Sequence, residues 1–101
     1  MDQIKRIQQM EEALNRSAEA VKALSEALEQ YEAAQSAYRK LCRYYGSSQW
    51  MRDFMADEAG KLPADLKRGV LSEDAVYDLL TDNRELTVRL LKTITETVKN
   101  A

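Results

Sequence analysis

"IKRIQQMEEALNRSAEAVKALSEALEQYEAAQSAYRKLCRYY", residues 4–45, decides the fold. It contains neither Gly nor Pro, and its apolar residues recur at spacings of three and four. That is the period of an α-helix with one greasy face, not of a strand. Written as heptads, Ile7, Leu14, Val21, Leu28, Gln35 and Cys42 share one seam position. Met10, Ser17, Leu24, Tyr31, Tyr38 and Tyr45 share its companion. The spacing predicts one amphipathic helix over about residues 3–45, roughly 60 Å long. Ala13, Ala20, Ala27 and Ala34 run beside the seam, and side chains that small let a second backbone come close on that flank. Arg39, Lys40 and Arg43 suit the carbonyl end of the helix dipole, and Gly46 is placed to end the helix in a left-handed turn.

Beyond Gly46 the writing changes. Ser47 or Ser48 is expected to cap a short helix over about residues 48–59, closed by Gly60. "KLPADLKRG", residues 61–69, reads as one more helical turn, with Pro63 in its first turn and Gly69 as its stop. A third helix is expected from Ser72 to about residue 99. Leu71 and Val76 are spaced as a hydrophobic staple around its cap. Glu73, Asp74 and Asp78 load its amino end with negative charge, and Val76, Leu79, Leu80, Leu86, Leu90, Leu91, Ile94 and Val98 lie on one face. Asn83 and Thr87 interrupt that face.

The fold class that follows is all-α, in a single domain over residues 1–101. Two long antiparallel amphipathic helices, about 3–45 and 72–99, are joined by the short helix and a charged Pro/Gly turn. The third helix is too short to cover the first, which leaves Ile4, Ile7 and Met10 without cover. An apolar stripe of that kind is one that monomers avoid. The expectation is therefore a dimeric helical bundle in which first helices pair antiparallel, with a break near Asn15–Ser17 as the competing explanation.

Composition narrows the function. Fifteen Lys+Arg against seventeen Asp+Glu give a net charge of −2, spread along the chain without a basic stripe. Nucleic acid and anionic membrane are therefore not expected partners. There is no histidine, which removes the commonest general base and zinc ligand. The single cysteine, Cys42, excludes an intrachain disulfide, suits a reducing compartment, and is expected to sit buried on the seam. The opening "MDQIKRIQQMEEAL" has no apolar run of signal-peptide length, so a cytoplasmic location is expected.

Candidate site residues lie in the connector. Asp53 and Asp57 are one helical turn apart and repel each other unless a cation answers them. Lys61, Lys67 or Arg68 folding back as an ion-pair latch is the structural reading; a divalent cation held by the carboxylates is the chemical one. Tyr45, Trp50, Phe54 and Tyr77, with Tyr38 and Tyr44, are expected to gather at the helix junctions as a small aromatic core or a docking patch. No catalytic residue, cofactor or metal ligand set is assigned.

"YYGSSQWMRDFMADEAGKLPADLKRGVLSEDAVYDLL", residues 44–80, resembles the signature of a small bacterial family known only as a domain of unknown function. The resemblance extends over essentially the whole chain. It implies an all-helical bacterial protein of about this length and no particular chemistry.

The functional expectation is a non-enzymatic interaction or scaffold module whose partners are a second copy of itself and a further protein. Two alternatives come from other classes. One is a small secreted helical-hairpin protein, from which this chain departs because Met51 and Arg52 follow Trp50 where a Trp-x-Gly turn would stand. The other is a carboxylate or divalent-metal site on the connector.

Overall fold

A computed structural model describes residues 2–101, and among them the elements are helical, with no strand. Helix α1 spans Gln3–Tyr44, α2 spans Ser48–Glu58 and α3 spans Glu73–Lys99; a single 3-10 turn, Gly69–Leu71, precedes α3. The protein is all-α, as the periodicity predicts. No helix among the described residues is long and apolar enough to cross a membrane. The chain divides into two compact units, Met1–Cys42 and Arg43–Ala101.

The first unit is the greater part of α1. The helix is continuous through Asn15–Ser17, so the break considered there does not occur. It opens on a cap that the heptad pattern does not reveal. The Asp2 carboxylate accepts the Lys5 N–H at 3.0 Å, satisfying one of the unpaired donors of the first turn. No residue of α1 is buried. Its apolar seam residues from Ile7 to Leu28 are 52–69% exposed, whereas Tyr31, Gln35 and Tyr38, and Leu41 beside them, are half-buried. Cys42 is exposed, contrary to the buried seam position expected for it.

The second unit begins with the end of α1. Gly46 takes φ +80°, the left-handed residue that halts the helix. The Ser47 side chain then accepts the Trp50 N–H at 3.1 Å and starts α2. Gly60, at φ +70°, ends α2. Its N–H reaches the Asp57 carbonyl and the Lys61 N–H reaches the Ala56 carbonyl, both at 3.0 Å, the paired bonds of a Schellman motif.

The path then departs from expectation. Residues 61–68 form turns rather than a helical turn stopped by Gly69, with the Leu66 N–H on the Pro63 carbonyl at 3.2 Å. Gly69 has no positive φ and opens the 3-10 turn instead of closing a helix. The Ser72 hydroxyl accepts the Ala75 N–H at 3.0 Å and caps α3.

The buried core is small. Trp50, Leu71 and Val76 are 7%, 5% and 3% exposed, so both staple residues flanking the Ser72 cap are inside. Along α3 the face carrying Leu79, Leu86, Leu90, Ile94 and Val98 is exposed, and Thr87, which interrupts it, hydrogen-bonds back to the Asn83 carbonyl at 2.9 Å. The apolar face of α1 is thus open from Ile7 to Leu28 and that of α3 at Leu79, Leu86, Leu90, Ile94 and Val98, while Leu80, Asn83 and Thr87 are half-buried.

Candidate functional site

The connector is organised around Trp50. Capping by Ser47 fixes where α2 starts, and that sets the indole one turn into the helix. Its Nε1 donates to the Val70 carbonyl at 3.0 Å, tying α2 to the 3-10 turn. This bond matters because a buried indole N–H without a partner costs free energy. The Tyr45 ring meets the indole edge-on, with centroids 5.2 Å apart and planes 72° apart. Phe54 stacks on it at 5.2 Å and 18°. Tyr45, Trp50 and Phe54 therefore make one aromatic cluster, with the Tyr45 hydroxyl directed at the Glu73 carbonyl 3.4 Å away.

Tyr77 is not part of it. Its side chain is 61% exposed, which corrects the expectation that it joins the aromatics at the junction. The reason is helical phase. Val76 is the residue of α3 that turns inward, and a neighbour in sequence points about 100° away around the axis.

Asp53 and Asp57 of α2 go to different partners. Asp57 receives the Arg68 guanidinium at 2.7 Å, and both side chains are partly shielded, at 24% and 34% exposure. Of the three cations considered for the latch, Arg68 closes it, while Lys61 and Lys67 are exposed. Asp53 instead accepts a short hydrogen bond, 2.5 Å, from the Tyr44 hydroxyl. That bond, then burial and the carboxylate's charge, push the Tyr44 phenol from 10.0 up to about 12, because each disfavours the phenolate.

Three polar pairs tie the connector together: phenol to carboxylate, guanidinium to carboxylate, indole to backbone carbonyl. Three or more Asp, Glu or Cys side chains do not gather in metal-binding geometry among the described residues. Sequence reasoning misses two participants. The Val70 carbonyl is backbone and leaves no mark in a side-chain pattern. Tyr44 reads as a member of the aromatic core, although a Tyr and an Asp nine residues apart across a Gly-Ser turn are a pair that such a turn can bring together.

Comparison with known proteins is consistent with the resemblance carried by residues 44–80. The sequence model of a family described as "Domain of unknown function (DUF4298)" matches residues 7–93, most of the chain. No curated protein and no solved structure matches significantly.

Proposed function

This chain belongs to the DUF4298 family, whose description names no function; from its own residues we propose that it is a non-enzymatic helical interaction module that self-associates as a homodimer. The observation that carries this reading is the open seam of α1. Ile7, Leu14, Val21, Leu24 and Leu28 keep half or more of their surface in water, on a helix with no buried residue. A face of that length is covered by something in solution, because monomers rarely leave such contiguous apolar surface bare. A buried core of Trp50, Leu71 and Val76 is also small for a chain of 101 residues, and burial between copies supplies what the single chain lacks.

The connector supports a structural role rather than catalysis. Asp53 and Asp57 are engaged by Tyr44 and Arg68, and Tyr45, Trp50 and Phe54 by one another. The exposed face of α3, with Leu91 and Val98, is the surface for a further protein partner. The free Cys42 thiol fits the cytoplasm, where cysteines stay reduced.

Light scattering coupled to size-exclusion chromatography tests the reading. A mass of twice 11.6 kDa at micromolar concentration is expected. A chain that stays at 11.6 kDa up to high micromolar concentration would overturn it.

A further inference from the structure

We infer that the second copy seats only on the amino-terminal stretch of α1, residues 3–28, as an antiparallel helix whose own residues 3–28 lie against it. The inference rests on the self-association proposed above and adds where on α1 the pairing begins and ends.

Exposure sets those limits. Ile4, Ile7, Met10, Leu14, Val21, Leu24 and Leu28 are each more than half exposed, and every residue of α1 from Gln3 to Gln30 lies open. At Tyr31 the pattern changes. Tyr31, Gln35 and Tyr38 continue the same seam but are half-buried within the single chain. Cover is therefore lacking as far as Leu28 and is already supplied from Tyr31 on. A parallel pair in register does not respect that limit, because its helices stay side by side and set Tyr31, Gln35 and Tyr38 against their own copies. An antiparallel partner can respect it, because its helix ends at Gln3.

The register follows from where the partner's helix ends. In an antiparallel seam each position faces the companion position of the other helix, so facing residue numbers add to a constant that moves in steps of seven. With that sum at 31, Ile7 faces the partner's Leu24, Met10 faces the partner's Val21, and Leu14 faces the partner's Ser17. Leu28 comes opposite the partner's Gln3 and beside the partner's Ile4. Every open apolar position is then covered and no half-buried one is touched. One step up sets Ile7 on the partner's Tyr31. One step down sets Ile7 on the partner's Ser17 and leaves Leu24 and Leu28 beyond the partner's end.

The centre and flanks of this pairing suit close approach. Ala13 faces the partner's Ala20 on either side of the twofold axis, and side chains that small let the backbones come together. The flanks carry two charges over this length, Arg6 and Glu11, which face the partner's Ala27 and the partner's Ala18. The partner's Lys22 lies one turn along from that Ala18 on the same flank, opposite in sign to Glu11. No like charges face each other across the flanks. Seven apolar side chains from each copy, at roughly 80 Å² apiece, reach the roughly 1,000 Å² at which a specific interface begins.

Mixed single-cysteine crosslinking in a Cys42→Ser background tests the placement, with light scattering run on the same samples. Ile7→Cys and Leu24→Cys chains, mixed so that subunits exchange, are expected to form a disulfide between unlike chains. Neither is expected to crosslink to its own kind, because in this register like positions lie about 25 Å apart along the axis. Ser17→Leu is expected to lower the dimer dissociation constant roughly tenfold or more, since it completes the apolar seam opposite the partner's Leu14. A crosslink of either variant to its own kind, no crosslink in the mixture, or a dissociation constant that Ser17→Leu leaves unchanged overturns the placement and leaves self-association standing. A monomeric mass for the unmodified chain overturns both.

Discussion

The Trp50 indole and the Val70 carbonyl meet at 3.0 Å across twenty residues of chain, and that bond joins α2 to the turn that launches α3. Trp50 is also the largest of the three buried side chains and touches both Tyr45 and Phe54. Trp50→Phe keeps an aromatic ring but leaves the Val70 carbonyl without its donor, which should cost about 1–2 kcal/mol. Trp50→Ala adds a cavity and should cost about 3–5 kcal/mol. Urea unfolding followed by circular dichroism separates the two, and equal midpoints for wild type and Trp50→Ala would show that the indole is not structural.

The Arg68–Asp57 bridge connects residues eleven apart at 2.7 Å, with both side chains partly exposed. Exposure at that level limits its worth through solvent screening. A double-mutant cycle with Asp57→Asn and Arg68→Gln should give a coupling of about 0.5–1 kcal/mol that shrinks in high salt. The same cycle on Asp57 and Lys67 should give none.

The Tyr44 phenol, held up to about 12 by its bond to Asp53, ties stability to alkaline pH. The folded value lies above the ordinary 10.0, so the protein binds this proton more tightly when folded. The stabilisation is complete below pH 10 and is lost as pH rises from there through about 12. Tyr44→Phe removes that slope. The ultraviolet titration of wild type minus Tyr44→Phe should show one phenol ionising near pH 12, and a difference curve centred at 10.0 would refute the assignment.

Gly60 and Gly69 should respond oppositely to alanine. Gly60 sits at φ +70°, and the space a Cβ would take there has nothing within 4 Å, so a substitution has room but not backbone freedom. Gly60→Ala should destabilise by about 1 kcal/mol, the cost of a side chain in the left-handed region. Gly69 has equal space and no positive φ, so Gly69→Ala should be neutral or stabilise by a few tenths of a kcal/mol. Thermal melts of the two variants side by side decide it.

Much of the fold is legible from residues alone. The seam from Ile7 to Tyr38 identifies a helix that runs Gln3–Tyr44, and the serines before Trp50 and Glu73 mark the starts of α2 and α3. Gly46 and Gly60 mark ends because a left-handed C′ residue is a demand of the helix itself. These readings succeed for one reason. A cap spans three residues and a heptad seven, so donor, acceptor and spacing lie within a single window of chain.

The connector obeys a different rule. Which cation answers Asp57 depends on the route between Gly60 and Ser72, and Tyr44 finds Asp53 only because the turn after α1 brings α2 back toward it. That route is a series of turns whose local preferences are weak, so Lys61, Lys67 and Arg68 are equal candidates in sequence. Tertiary structure chose among them because Trp50 had to bury its ring and satisfy its N–H at once. The chain by itself determined the helices and their caps, since those depend on neighbours in sequence. Only folding in three dimensions decided the pairs that close the connector, since those depend on where distant segments come to rest.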